Sequence, residues 1–118
     1  MTQKLALVTG SNKGIGNAIC KALALRYSGS HFARSSPASS QGPTPLLILC
    51  TARNPALGTA AVEKLREEIE AKDASALKNG LTELRFEQLD INDEQSRLRM
   101  KGVVEKLGGL DLLVNNAG

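Results

Sequence analysis

The sequence predicts an α/β fold: a doubly wound parallel sheet of four strands in the order 3-2-1-4, with three helices packed on its two faces. Three observations predict it. Strand-like and helical patterns alternate along the 118 residues, beginning and ending with a strand. Two of the strand-like runs, residues 4–9 and 45–52, are almost continuously apolar, as in strands covered on both faces. A glycine-rich junction, Gly10-Ser11-Asn12-Lys13-Gly14-Ile15-Gly16, carries the first strand straight into a helix.

Composition narrows the function classes. An apolar fraction of 42% is ordinary for a soluble globular protein, and 118 residues fit one domain, 1–118. No apolar run approaches the roughly 18 residues that a membrane span needs, and the N-terminus lacks the cleavage region of a secretory signal, so a cytoplasmic location is expected. The net charge of +3 is spread among acidic residues and aromatics make up 3% with no Trp, which argues against nucleic-acid binding. Cys20 falls in a helical pattern and Cys50 in a strand pattern, with no C-x-x-C and no His cluster. Both are expected to be buried, reduced thiols with neither a metal nor a redox role.

In chain order, residues 4–9 form the first strand. The first helix is expected over 14–27, burying Ile15, Ala18, Ile19, Ala22 and Leu23 on the sheet with Cys20 beside that stripe. Residues 28–45 are rich in Ser, Gly and Pro where such folds usually need loops of about 2 to 6 residues, so they read as a surface insertion with His31 an exposed bystander. The second strand ends at Arg53. Asn54-Pro55 then supplies an N-cap and a first-turn proline for a second helix, with Leu57, Ala61, Leu65 and Ile69 inward. Glu63, Lys64, Glu67, Glu68 and Lys72 form its solvated surface, and it fades near Lys72 before an Asn79-Gly80 turn. The third strand, 81–89, places Leu84, Phe86 and Gln88 on one face and stops at Asp90. Asn92 and Gln95 resemble a capping box for a third helix with Leu98, Val104 and Leu107 inward, ended by Gly108-Gly109. A fourth strand, 110–114, leads into Asn115-Asn116-Ala117-Gly118.

The glycine junction suits a phosphate. Glycines 10, 14 and 16 permit left-handed backbone and close approach of the main chain, and the helix that follows offers unpaired N–H groups at its positive end, as a dinucleotide pyrophosphate requires. The spacing G-x-x-x-G-x-G differs from the common G-x-G-x-x-G, and the nucleoside-triphosphate loop G-x-x-x-x-G-K-[ST] does not fit, because Lys13 lies inside the turn. Taken alone, the junction leaves open a strand-to-helix turn that holds no ligand, as the less favoured reading. In a doubly wound sheet, however, ligands bind beyond the carboxyl ends of the strands, where the order reverses between strands one and four. The residues leaving the four strands are the glycine junction, Arg53, Asp90 and Asn115 to Gly118, and all are expected at one edge.

These groups, in this order, resemble the short-chain dehydrogenase/reductase family, whose N-terminal half carries Thr-Gly-x-x-x-Gly-x-Gly, an Asp after strand three and Asn-Asn-Ala-Gly after strand four on a Rossmann-type sheet. Gly10-Ser11-Asn12-Lys13-Gly14-Ile15-Gly16 and Leu49-Cys50-Thr51-Ala52-Arg53 are similar to its carbonyl reductase branch, which reduces aldehydes, ketones and quinones with NADPH. The resemblance implies that Asp90 binds the adenine amino group, assisted by the Ile91 main chain, and that Asn115, Asn116, Ala117 and Gly118 line the adenosine ribose and support strand four. Asp90 as a helix cap and Asn115 as a backbone brace are compatible readings. Cofactor choice follows from charge: an NAD enzyme carries Asp or Glu at the end of strand two, whereas this chain carries Arg53, with Lys13 as a second cation for a 2'-phosphate. NADPH or NADP is therefore expected, with NAD disfavoured.

The family's chemistry needs an upstream serine and Tyr-x-x-x-Lys, in which the lysine lowers the tyrosine pKa. Tyr27 is the single tyrosine and His31 stands four residues on, so no catalytic residue is assigned. In the family those residues come later in the chain. The expected function is thus the dinucleotide-binding, N-terminal part of an NADPH-dependent carbonyl reductase-like enzyme, incomplete relative to the full fold and inactive alone, with a carbonyl substrate only in a complete chain. The rival readings are a non-catalytic dinucleotide-binding module and an unproductive truncated product.

Overall fold

The computed structural model describes residues 3–12, 14–27, 44–77 and 81–116. Seven elements follow one another as β1 (Lys4–Val8), α1 (Gly14–Arg26), β2 (Leu46–Ala52), α2 (Pro55–Lys72), β3 (Thr82–Gln88), α3 (Glu94–Lys106) and β4 (Leu112–Val114). The strands form one parallel sheet in the order β3-β2-β1-β4, as the alternating pattern predicts. Lys13, His31, Asn79, Gly80, Ala117 and Gly118 lie outside the described residues, as does most of the 28–45 segment. Its last two residues are tied to the sheet: Thr44 is buried, and the Lys4 N–H donates to the Pro45 carbonyl at 2.8 Å.

Every residue of β1 and β2 is buried, because each strand is covered on both faces. The period-two alternation sorts them into two cores. Ala6, Val8, Leu46, Ile48, Cys50 and Leu84 face α1 and α2, where Cys20, Ala24, Val62, Leu65 and Ile69 meet them. Leu5, Leu7, Leu47 and Leu49 face the opposite way, toward Met100 and the partly buried Val103, Val104 and Leu107 of α3. Two helices on one face and one on the other make the sheet doubly wound. The outer strand β3 is apolar on only one side. Its other side carries Glu83, Arg85 and Glu87, with ion pairs Arg85–Glu83 at 3.4 Å and Arg99–Glu87 at 3.3 Å. Charges of this kind guard an edge strand against pairing with other chains.

The helices are where expected, and Ile19, Leu23, Leu65, Ile69, Val104 and Leu107 pack inward as expected, but other residues of the expected inward stripes face solvent. In α1 the buried line is Gly16, Cys20 and Ala24, with Ile19 and Leu23 flanking it, while Ile15 is 72% exposed and Ala18 and Ala22 face solvent. Small residues sit at the line of closest approach and let the helix axis come near the sheet, so the bulky residues fall to the sides. In α2 the buried line is Gly58, Val62, Leu65 and Ile69, and Leu57 is 59% exposed. Here the reason is Phe86, whose ring fills the space beside Gly58: a Cβ there would lie 1.9 Å from Phe86 Cε1. In α3, Ser96 and Met100 are buried while Leu98 is 54% exposed.

The helix ends follow local chemistry. Asn54 caps α2, its side chain accepting from the Ala56 and Leu57 N–H groups at 2.9 and 3.2 Å, and Pro55 opens the helix, as expected. The cap of α3 is Asp93 rather than Asn92. Its Oδ1 accepts from the Gln95 N–H at 3.1 Å, because the Asn92 N–H is already turned toward Asp90 Oδ1 at 3.0 Å. Tyr27, directly after α1, is 2% exposed, and its hydroxyl donates to the Thr44 carbonyl. It therefore joins the two ends of the 28–43 segment.

Two outcomes test this packing. Replacing Gly58 with Ala is expected to cost about 1–3 kcal/mol through overlap with Phe86, whereas Gly102, mid-helix with nothing within 4 Å of its Cβ position, should gain about 0.5–1 kcal/mol on the same change; urea unfolding measures both. Burial first, then the Asp111 carboxylate, raise the Tyr27 pKa above its ordinary value. A raised pKa favours the protonated phenol in the fold, so the stability it brings is fully present below the unfolded-state pKa of about 10 and is lost as pH rises through the folded value. Tyr27→Phe should cost about 1 kcal/mol at neutral pH and flatten the alkaline loss, read as urea midpoints across that pH range.

Candidate functional site

The turn after β1 is fixed from both sides by buried polar groups. Toward β2, Ser11 donates from its N–H and its hydroxyl to the Thr51 carbonyl at 2.9 and 3.1 Å, and the Thr51 hydroxyl donates to the Val8 carbonyl at 2.9 Å. Toward β4, the Thr9 N–H donates to the Val114 carbonyl at 3.0 Å, and the Asn116 N–H donates to Thr9 Oγ1 at 2.8 Å. The Asn116 side-chain amide donates to the Gly10 carbonyl at 3.2 Å. The turn is thus held to the two strands flanking β1.

The three glycines serve different needs. Gly10 and Gly14 have φ of 61° and 63°, the left-handed region that L side chains rarely enter. Gly16 is needed for space: a Cβ there would stand 2.4 Å from the Gly10 carbonyl oxygen and 2.8 Å from Asn116 Nδ2. Its absence lets α1 begin directly against the turn, and the Asn17 amide then reaches the Ser11 carbonyl at 3.4 Å.

Beyond the carboxyl ends of β1, β2 and β3 lies an open cleft of about 440 Å³. Gly10 and Asn12 border it from the turn, Ala52 and Arg53 from the end of β2, Asn54 and Leu57 from the start of α2, and Leu89, Asp90, Ile91 and Asn92 from the segment after β3. The sequence-predicted residues Gly10, Asn12, Arg53, Asp90 and Ile91 therefore meet in one place. Ser11 is buried beneath the turn with its hydroxyl engaged, and Ile15 stands exposed outside the cleft lining. Asn115 and Asn116 sit on the β4 side of the turn, where Asn116 braces it. Leu57 is the lining residue that sequence periodicity misassigned to the core. No spacing signal places it in the cleft, because its exposure depends on which side of α2 meets the sheet.

The charged groups of the cleft are unevenly engaged. Among the described residues the exposed Arg53 guanidinium has no hydrogen-bond or ion-pair partner, while its carbonyl is held by Gln88 Nε2 at 3.2 Å. Asp90 is held by its own turn: its N–H donates to Ser96 Oγ at 2.8 Å and Oδ1 accepts from Asn92. Those bonds leave Oδ2 for a ligand, so bracing and binding use different atoms. The amino end of α2 also reaches the cleft, but the Asn54 side chain already occupies its Ala56 and Leu57 donors. Arg53 is therefore the cationic side chain that lines the cleft on this side among the described residues.

Beneath the turn, the Cys50 thiol donates to Cys20 Sγ at 3.6 Å, and both are free and fully buried. This contact favours the Cys20 thiolate, and the same contact, with burial, pushes the Cys50 thiol up. Nothing in the sequence spacing brings these two residues together; the packing of α1 on β2 does.

No protein-family model matches the chain. Carbonyl reductase (NADPH) 1 of Bos taurus is 41% identical over 115 residues, 97% of this chain and 31% of that protein. Carbonyl reductase (NADPH) 3 of Mus musculus is 40% identical over 116 residues, 98% of this chain and 31% of that protein. The menthone neomenthol reductase of Mentha piperita superposes with a TM-score of 0.64 at 31% identity, over 100% of this chain and 32% of that one. The chain thus spans about a third of the length of the relatives it matches. Sequence, strand order and the motifs at the strand ends agree: over nearly its whole length the chain is similar to the N-terminal part of carbonyl reductases of the short-chain dehydrogenase/reductase family.

Proposed function

We propose that the chain is a dinucleotide-binding domain of an NADPH-dependent reductase of the carbonyl reductase kind. The observation that carries this reading is Arg53: an exposed guanidinium without a partner among the described residues, at the end of β2, in the same cleft as Gly10 and Asp90. Its planar fork matches the 2'-phosphate that separates NADPH from NADH. Gly10, Ser11, Asn12, Gly14, Ile15 and Gly16 form the turn against which the pyrophosphate lies, with Lys13 adding charge from within it. Asp90 and the Ile91 main chain hold the adenine, and Asn115, Asn116, Ala117 and Gly118 support the ribose side and β4. The residues fit the cofactor, since the left-handed glycines keep side chains off the turn and Asp90 keeps an oxygen for the adenine amino group.

When bound, NADPH supplies a hydride for a carbonyl carbon. This chain's own contribution is to bind and orient the adenosine half, and no catalytic residue is assigned within it. Tyr27 is no exception: it is buried, and its hydroxyl is committed to the Thr44 carbonyl. Among the described residues no helix is long and apolar enough to cross a membrane.

Titration of the purified chain with NADPH and NADH, followed by fluorescence or calorimetry, tests the reading. NADPH should bind more tightly than NADH. Arg53→Ala should weaken NADPH by roughly 10- to 100-fold, the worth of a charge-assisted hydrogen bond of about 1.5–3 kcal/mol, while leaving NADH nearly unchanged. Equal affinity for both nucleotides, or an Arg53→Ala chain that binds NADPH as before, overturns the assignment. Ketone reduction by the purified chain alone overturns the absence of a catalytic group.

A further inference from the structure

We propose that Cys20 and Cys50 form an oxidisable dithiol, converted by a peroxide-class oxidant into an intramolecular disulfide that joins α1 to β2 beneath the glycine turn. The inference does not depend on which nucleotide the cleft binds. These are the chain's two cysteines, and they lie 30 residues apart in sequence. The packing of α1 on β2 nevertheless brings their sulfurs to 3.6 Å. A disulfide needs about 2.05 Å, so closing it calls for an approach of about 1.5 Å. Cys20 occupies the middle of the small-residue line, Gly16, Cys20 and Ala24, along which α1 lies closest to the sheet. Cys50 belongs to β2, paired with Val8 on one side and Phe86 on the other.

Burial decides which partner each sulfur can meet. Cys20 is 0% and Cys50 1% exposed, so a second protein chain cannot reach either in the folded state. A small oxidant enters through brief local opening, and the sulfur then waiting beside it is the other cysteine. The hydrogen bond divides the roles: Cys50 donates and Cys20 accepts, which makes Cys20 the attacking sulfur and Cys50 the resolving one.

The steps balance. The Cys20 thiolate attacks one oxygen of hydrogen peroxide, forming an S–O bond as the O–O bond breaks, and the departing hydroxide takes up a proton as water. The Cys50 sulfur then attacks Cys20 Sγ of the resulting sulfenic acid, forming the S–S bond as the S–O bond breaks. The second hydroxide leaves with the Cys50 proton as water. Two thiols and one peroxide thus give one disulfide and two waters, with two electrons passing from sulfur to peroxide. A resolving thiol this close intercepts the sulfenic acid before it takes up more oxygen.

The experiment treats the purified, reduced chain with hydrogen peroxide, quenches it at intervals, and counts thiols in denaturant alongside intact mass and non-reducing electrophoresis. Both thiols should disappear together, with a mass loss of two hydrogens, monomeric migration, a rate independent of protein concentration, and full recovery on adding dithiothreitol. Cys20→Ser and Cys50→Ser should each abolish the two-hydrogen loss. The wild-type readout stands by itself should either variant fold poorly. Oxygen adducts accumulating on wild-type thiols, disulfide-linked dimers as the main product, or two thiols that persist in the folded chain while the urea-unfolded chain is oxidised, would each overturn the proposal.

Discussion

The short network around Thr9, Ser11, Thr51 and Asn116 is the constraint on which the rest of the site depends. Thr9 and Ser11 are 5% and 3% exposed, so each of their polar groups must find a protein partner or stand desolvated at a cost of about 1–3 kcal/mol. The partners come from β2 and β4, so the network closes only when both strands flank β1 in the observed parallel register. Among the described residues no buried side-chain nitrogen or oxygen is left unpartnered. Because the turn is pinned on two sides, its glycines can hold a left-handed course at Gly10 and Gly14, and α1 can start against Gly10 without a side chain at Gly16. The cleft is what this arrangement leaves between the turn and the ends of β2 and β3.

Within the cleft, helix termini and side chains divide the work in a way fixed by capping. The start of α2 points toward the cleft, yet Asn54 has taken up its donors, so its electrostatic pull is already partly used within the protein. The start of α1 packs directly against the turn, where a Cβ at Gly16 would stand 2.4 Å from the Gly10 carbonyl oxygen. On the proposed reading the two ends hold different groups: the turn before α1 takes a phosphate by its main chain, and the β2 end takes one by the Arg53 fork.

The fold was legible because the strongest signals in the sequence are local and agree with one another. The continuous apolar runs 4–9 and 45–52 can be stable only as strands covered on both faces, and Asn54-Pro55 and Gly108-Gly109 mark helix ends whatever the tertiary context. The site was legible for a topological reason: residues at the carboxyl ends of parallel strands share one edge. Helix rotation was legible only in part. Periodicity favours the stripe with the bulkiest side chains, whereas α1 and α2 press their small residues, Gly16, Cys20, Ala24 and Gly58, against the sheet. The same effect concealed Leu57 as a cleft residue and the Cys20–Cys50 contact, because each depends on which side of a helix meets a particular neighbour. Asp93 displaced Asn92 as the cap of α3 because Asp90 had claimed the Asn92 N–H, a competition between two turns that a spacing rule does not weigh.

The most direct test of the dinucleotide cleft is a residue-resolved amide spectrum of the isotope-labelled chain, recorded by NMR while NADPH is added. The amides of Gly10, Ser11, Asn12, Arg53, Asp90, Ile91 and Asn116 should shift together along one saturable curve, while those in the outer turns of α3 stay in place. Shifts confined to α3, or none at the turn after β1 at saturating NADPH, would contradict the account.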